Sequence, residues 1–133
     1  MKESVKRRRT LAIILLVFGS LLVSGCMFPV VNTNPERPVD LGSSMELMIL
    51  LFTLFFFQAA GRWESQLYPR WSVPGILGYN LALVLGGLGC RYLLELGEVS
   101  NTYNFTLGNV ALHLTLTTAV ATGSYAFQRR RRR

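Results

Sequence analysis

The only histidine of this 133-residue sequence, His113, is the side chain best suited to chemistry within an apolar stretch. Asn109 and Thr117 lie four residues to either side of it, a spacing that places all three on one face of a helix. An imidazole at this depth can relay protons or ligate a haem iron. The simpler interpretation is a neutral imidazole bonded to a neighbouring helix, because no acidic residue is predicted at matching depth. The pattern predicts a polar intramembrane face, and no cofactor is predicted.

Two cysteines, Cys26 and Cys90, are the other reactive side chains. Their separation resembles neither a CxxC redox pair nor a set of metal ligands. Both are predicted near the outer ends of their helices, where an oxidising compartment would permit a disulfide between them. Two unpaired thiols are the alternative, and lipidation of Cys26 would exclude the disulfide.

One pair of opposite charges, Arg91 and Glu95, enters the outer end of an apolar stretch. Their spacing of four residues allows an interfacial ion pair on a helix. The alternative is a site for an anion or a lipid headgroup. The sequence has no HExxH or GxSxG motif, no phosphate-binding glycine loop and no cluster of metal ligands. We therefore predict no catalytic residue, no metal site and no enzymatic activity.

The charges of the chain are concentrated at its two ends. Half of all residues are hydrophobic, 16% are charged, and the net charge is +7. Five basic residues lie within residues 2–9, and five more form the C-terminus: Arg129, Arg130, Arg131, Arg132 and Arg133. A soluble domain carries about 25% charged residues, and a nucleic-acid-binding module places its basic residues on a folded face. The composition excludes both classes and indicates an integral membrane protein with no nucleic-acid partner.

Four apolar stretches must position these side chains. They cover about residues 10–26, 45–61, 74–96 and 103–127. A helix needs about 20 apolar residues to cross a bilayer core, and in lipid a helix satisfies its own backbone hydrogen bonds. None of the stretches shows the alternation of a barrel strand. We predict an all-α membrane protein in which 1–133 form one small bundle of four transmembrane helices.

The basic residues also predict the orientation of this bundle. With four spans, both termini and the loop that carries Arg62 and Arg70 fall on one side, and positive charge favours the cytoplasm. Both termini are therefore predicted to be cytoplasmic. The arginines 129–133 are expected to attract anionic lipid headgroups, at about 1 kcal/mol each near the surface.

The first stretch has a second interpretation as a targeting signal. Lys6 to Arg9 are basic, Leu11 to Leu22 are apolar, and three small residues, 23–25, precede Cys26. This order resembles a bacterial or archaeal lipoprotein signal. The resemblance implies a prokaryotic plasma membrane, removal of residues 1–25 and lipidation of Cys26. The alternative is that the stretch remains as the first transmembrane helix.

Small residues recur at intervals of four in the third and fourth stretches. They are Gly78, Ala82 and Gly86 in the third, and Ala111, Thr115, Ala119 and Gly123 in the fourth. Such stripes let helix backbones approach closely in lipid, so we predict that the third and fourth helices are antiparallel neighbours that pack along them. The second stretch is bulky on every side and is predicted to face lipid or a large apolar partner.

Three functions are compatible with these features. The first is an accessory or structural subunit of a larger membrane complex, which acts through helix packing with other membrane subunits in the lipid bilayer. The second is a homo-oligomeric channel or transporter with a pathway lined by Asn109, His113 and Thr117. The third is a redox or cofactor-linked membrane protein that uses His113 or the cysteines. The first is favoured because no motif of the sequence defines a site of its own.

Overall fold

The structure is a computed structural model. Four helices account for 94% of the residues that it describes. The described residues are 2–27, 44–94 and 107–132. The helices are α1 (Lys2–Met27), α2 (Ser44–Leu67), α3 (Val73–Leu94) and α4 (Leu107–Arg131). These ranges contain no strand, and the predicted all-α fold of four helices is confirmed.

Three of the helices contain segments that are long and apolar enough to cross a membrane, which are Lys2–Gly25, Leu47–Leu67 and Val73–Leu94. The all-α membrane fold rests on these three. The 25 residues of α4 would extend about 37 Å, which is long enough for a bilayer core of about 30 Å. However, α4 is not among the candidate spans, and its threonines lower its hydropathy. That α4 also crosses the membrane stays a prediction.

The helices form a ring in the order α1, α2, α4, α3, and each packs against its two neighbours in that ring. The predicted contact between α3 and α4 is confirmed, whereas α2 and α3 lie opposite each other across the bundle. A hydrogen bond from Arg9 Nη2 to Leu67 O (2.9 Å) joins the start of α1 to the end of α2. These two helices are therefore antiparallel.

A tight turn at residues 68–72 connects α2 to α3. The amide of Tyr68 donates to Glu64 O (2.7 Å) and continues the last turn of α2, and the amide of Trp71 donates to Tyr68 O (3.2 Å). Ser72 then caps α3, because its hydroxyl accepts a hydrogen bond from the Gly75 amide at 3.2 Å. Pro74 fits the first turn of α3, where its missing N–H is not needed. The turn holds Trp71 and its neighbours at one end of the bundle.

Close helix contacts occur where glycine leaves room for a neighbouring backbone. A Cβ atom on Gly87 of α3 would lie 2.6 Å from Leu21 O and 2.8 Å from Ser24 Cβ of α1. A Cβ atom on Gly25 would lie 2.8 Å from Gly87 O. In the same way, a Cβ atom on Gly61 of α2 would collide with the carbonyl oxygen of Ala121 of α4. These positions require glycine because two helix backbones meet there.

The predicted small-residue stripes are not the surfaces along which α3 and α4 meet. All four stripe residues of α4 are exposed: Ala111, Thr115, Ala119 and Gly123. In α3, Ala82 is exposed, a Cβ atom on Gly78 would meet nothing within 4 Å, and Gly86 faces Leu21 of α1. The prediction of α3–α4 packing along these stripes was therefore wrong. The physical reason is that the opposite side of α4 also carries small residues, such as Thr118 and Ala121, which are buried. The spacing alone therefore could not identify the buried face.

The helix α2 faces outward, as predicted, over only the first half of its length. Its first half fits a lipid-facing surface, since Met48, Phe52 and Phe55 are exposed. Its second half belongs to the core, where Phe57 and Ala60 are buried. The helix also continues to Leu67, beyond the predicted end at residue 61. The buried hydrophobic side chains of the described core are Leu16, Val23, Phe57, Ala60, Leu67, Tyr68, Ile76, Leu83, Val84, Leu88, Ala121 and Tyr125.

Candidate functional site

A buried carboxyl group near the end of α2 is the most unusual feature of the bundle. Glu64 is 0% exposed and Asn80 of α3 is 2% exposed. The Asn80 Nδ2 group donates to Glu64 Oε2 at 3.1 Å and to Thr122 Oγ1 of α4 at 3.3 Å. We refer to Glu64, Asn80 and Thr122 as the polar centre. It links α2, α3 and α4 in the interior of the bundle.

One oxygen of this carboxyl group has no hydrogen-bond partner among the described residues. Glu64 Oε1 is buried and accepts no hydrogen bond from any residue of the described ranges. Even a neutral polar group costs roughly 2–7 kcal/mol when it is buried without a hydrogen bond, and an ionised carboxylate costs more. An ionisable group inside a membrane bundle is therefore a candidate functional group. Chemically, the free oxygen can accept a proton or contribute one ligand to a cation.

A cluster of aromatic side chains joins the α2–α3 turn to α3 and α4. The rings of Tyr68 and Trp71 are 4.6 Å apart, and those of Tyr68 and Tyr79 are 5.3 Å apart. The hydroxyls of Tyr68 and Tyr79 lie 3.1 Å from each other. The hydroxyl of Tyr125 lies 2.7 Å from both Tyr68 O and Trp71 O, and it can donate to either. This cluster holds the turn against α4 and covers the end of the bundle.

Arginines from the two ends of the chain complete this end of the fold. Arg9 Nη2 donates to Leu67 O at 2.9 Å, and Arg132 Nη1 donates to Ser65 O at 3.0 Å. Arg129 Nη1 donates to Trp71 O at 3.0 Å. The last carbonyls of a helix have no partner within the helix, and cations at this end are favoured by the helix dipole. The guanidinium groups therefore stabilise the C-terminal end of α2 and the turn that follows it.

An open pocket of about 430 Å³ lies beside these groups. Its lining residues are Ser65, Pro69, Arg70, Tyr125, Arg129 and Arg132. The lining thus contains three guanidinium groups and no carboxylate. We refer to Arg70, Arg129 and Arg132 as the pocket arginines.

Two of the three residues of the predicted polar face of α4 are buried inside the bundle. His113 and Thr117 are buried, and Thr117 Oγ1 donates to the His113 carbonyl at 2.7 Å within the same helix. The side chain of Asn109 lies outside the described residues. His113 precedes Thr122 by nine residues of α4, which is roughly 14 Å of helix rise. The structure therefore does not bring His113 into the polar centre.

Of the predicted site residues that remain, Arg91 and Cys90 lie at the other end of the bundle. Arg91 Nη1 donates to Gly25 O at 3.2 Å, near the end of α1. Glu95 and the side chain of Cys26 lie outside the described residues, so the predicted ion pair stays a prediction. Cys90 is a free, exposed cysteine. No group of three metal-ligating side chains is found within the described ranges.

The C-terminal arginines, predicted as one uniform charged tail, differ from each other in the structure. Arg129 and Arg132 bond to backbone carbonyls, as described above. Arg131 lies over the ring of Phe127, with 5.8 Å from its Cζ atom to the ring centroid. Arg130 is exposed, and Arg133 lies outside the described residues.

Glu64 is the functional candidate that the sequence pattern did not identify. It follows Arg62 and Trp63, which interrupt the apolar run, so the predicted helix ends before it. A signal for its burial is present, because Phe57, Gly61 and Glu64 continue the spacing of three and four residues that marks one helix face. Glu64 lies on the same face as residues that are buried.

Fold and site together define a small helical membrane protein with a buried carboxyl group and an arginine-lined pocket at one end. Comparison with known proteins gives no match: no family profile, no curated protein and no solved structure is similar to this chain.

Proposed function

We propose that the protein is a small membrane subunit that acts by packing against other transmembrane helices and not through chemistry of its own. The observation that carries this proposal is the outward face of α4. Ala111, Thr115, Ala119 and Gly123 are exposed along it, and a Cβ atom on Gly123 would meet nothing within 4 Å. We refer to these four residues as the outer small face.

The outer small face supports a protein partner because of how helices associate in lipid. Large exposed apolar side chains, such as Leu15 of α1 and Phe55 of α2, are satisfied by lipid tails and need no partner. Small residues instead let a second helix backbone approach closely, which favours helix association inside a bilayer. The same kind of surface is already used within the bundle, at Gly87 and Gly61. A partner helix would extend this mode of packing to the outside of α4.

The proposal includes a prokaryotic plasma membrane with both termini in the cytoplasm. Its support is that basic residues from three parts of the chain meet at one end of the bundle. Arg9 contacts the end of α2, and Arg132 contacts Ser65 in its last turn. Arg70 lies in the turn between α2 and α3. Positive charge of this kind is retained on the cytoplasmic side.

Native mass spectrometry of the C-terminally tagged chain, extracted from its own membrane in mild detergent, tests the subunit proposal. We expect partner proteins at a fixed stoichiometry, and we expect Ala119→Leu with Gly123→Leu to remove them. Leu15→Phe adds bulk at an exposed site of α1 and is the matched control that should retain them. A chain recovered alone, or partners that survive the α4 variant, would contradict the proposal.

A second candidate, a channel or transporter for protons or small cations, is favoured by one specific observation. Glu64 Oε1 is buried without a partner in the described part of the chain. On this hypothesis the polar centre, together with the buried His113 and Thr117 of α4, provides the polar groups of a pathway through the bundle. Buried ionisable groups of this kind mark ion and proton pathways in membrane proteins.

Proton and sodium flux into liposomes that contain the purified chain tests this second candidate. Glu64→Gln removes the ionisable group but keeps an oxygen that can accept the Asn80 hydrogen bond, so flux should fall to the background of empty liposomes. Glu3→Gln, at the exposed start of α1, is the control and should leave flux unchanged. Absence of flux in the original chain, or equal flux in the Glu64 variant, would rule the hypothesis out.

A further inference from the structure

The pocket at the basic end of the bundle has the composition of an anion site. Its six lining residues include three arginines and no acidic residue. In the described ranges none of the three arginines forms an ion pair with a carboxylate. Their positive charge is therefore not neutralised by any residue of those ranges, and the pocket is large enough, at about 430 Å³, for a small polar group.

The hydrogen bonds of the pocket arginines make them suited to bind phosphate. A guanidinium has five N–H donors in a fixed planar arrangement. Arg129 and Arg132 each use one terminal nitrogen to bond a backbone carbonyl, which orients the group and leaves other donors available. Arg70 has no hydrogen bond to another described residue. Paired N–H donors of arginine match the oxygens of a phosphate group.

The position of the pocket identifies the source of the phosphate. It lies where α2 and α4 end, beside the turn between α2 and α3. Trp63 and Trp71 are exposed at the same end, with 38% and 43% of their surface accessible. Aromatic residues of this type mark the level of the lipid headgroups, and basic pockets between membrane helices bind anionic headgroups. A lipid with its tails on the apolar surface would place its phosphate at this level.

We propose that Arg70, Arg129 and Arg132 form a binding site for the phosphate group of an anionic phospholipid headgroup. The bound phosphate joins the α2–α3 turn, through Arg70, to the end of α4, through Arg129 and Arg132. The site is specific to three arginines and differs in this respect from a general attraction of the basic tail to the membrane surface. It does not depend on the presence of a protein partner or of transport.

Binding of phosphatidic acid to the full chain in neutral detergent, measured by native mass spectrometry, tests the site. Phosphatidylcholine with the same acyl chains is the reference lipid. Arg70→Gln and Arg62→Gln form the matched pair, because both remove one exposed positive charge near the same end of the bundle and only Arg70 lines the pocket. We expect phosphatidic acid to bind Arg70→Gln about fivefold more weakly than the original chain. The affinity of Arg62→Gln should stay within about twofold of the original.

A second pair of variants separates the site from the net charge of the tail. Arg129→Gln with Arg132→Gln removes two pocket arginines, whereas Arg130→Gln with Arg131→Gln removes two charges from the same tail outside the pocket. The pocket variant should lose at least about fivefold more affinity than the control variant. Circular dichroism establishes that each variant is folded, and the Arg70 pair decides the question if the tail variants are not.

Two results would overturn the proposal. Equal weakening by Arg62→Gln and Arg70→Gln would show that surface charge binds the lipid without a defined site. Displacement of phosphatidic acid by an equimolar amount of glycerol 3-phosphate would show that the site takes a soluble phosphate and not a lipid. Persistence of the lipid adduct at that ratio is the result expected for a headgroup site.

Discussion

At the scale of single residues, the polar centre is an arrangement in which one amide serves two acceptors. Asn80 Nδ2 supplies the hydrogen bond to both Glu64 Oε2 and Thr122 Oγ1. Removing one partner from a buried hydrogen bond costs more than removing both, because the remaining group is left buried and unsatisfied. The two residues Asn80 and Glu64 should therefore depend on each other in a way that can be measured.

We expect Asn80→Ala to lower the free energy of unfolding by about 1–3 kcal/mol, since both acceptors then lose their donor. Asn80→Ala combined with Glu64→Leu should lose less than the sum of the two single variants, because no buried carboxyl remains to be satisfied. Unfolding in detergent, titrated with sodium dodecyl sulfate and followed by tryptophan fluorescence, measures these changes. Thr115→Ala, at an exposed position of α4, is the control. Strict additivity would show that Asn80 does not support Glu64.

At the scale of helices, α3 contains one glycine that is required for helix packing and another that is not. Gly87 lies against the backbone of α1, whereas a Cβ atom on Gly89, in the same helix, would meet nothing within 4 Å. The same substitution at the two positions therefore tests the helix contact, with helix propensity held constant.

Gly87→Ala should destabilise the bundle by about 1–3 kcal/mol, because the added methyl group forces α1 and α3 apart. Gly89→Ala should raise stability by up to about 1 kcal/mol, since alanine favours a helix more than glycine does. Thermal unfolding of the two variants in the same detergent, monitored by circular dichroism, compares them directly. Equal effects at both positions would contradict the close α1–α3 contact.

The same contact gives a physical reason for the small residues that resemble a lipoprotein signal. Ser24 Oγ donates to Val84 O at 2.9 Å, and Gly25 lies against Gly87. Small side chains in this part of α1 are thus required for packing on α3, whatever else they encode. In addition, Leu16 of α1 is buried in the core.

We therefore expect α1 to be retained in the mature protein. Cleavage before Cys26 would remove Leu16 from the core and Arg9 from the end of α2. The intact mass of the chain purified from its own membrane should include residues 1–25. A mass that lacks residues 1–25 and includes a lipid on Cys26 would refute this expectation.

At the scale of the whole molecule, the meeting of basic residues at one end predicts a single orientation in the membrane. In a bacterial host, a green fluorescent protein fused to the C-terminus should fluoresce, because it folds in the cytoplasm. Alkaline phosphatase fused at the same site should be inactive. Replacement of the basic residues at both ends by glutamine should weaken this preference, since the Lys and Arg bias sets the orientation. An active phosphatase fusion in the original chain would contradict the proposed orientation.

Several features of the molecule could be predicted from the sequence because they depend on local composition. Four apolar stretches of helical length, separated by prolines and polar residues, suffice to predict four helices and no strands, because a helix satisfies its backbone within one segment. The concentration of basic residues at the two ends is likewise a local property. The four predicted helices agree with the structure because helix formation in these stretches depends on local composition and not on contacts between distant segments.

The tertiary structure alone decided which side of each helix faces inward. Thr117 and Ala119 of α4 are both small and lie close together in sequence, yet Thr117 is buried and Ala119 is exposed. Glu64 has the sequence context of a loop residue but lies in the core, because α2 continues past Arg62 and α3 presents Asn80 to it. Both outcomes follow from contacts between segments distant in sequence, and helical periodicity does not specify such contacts. The sequence determined the helices and the charge of their ends, and the packing of helix against helix determined the site.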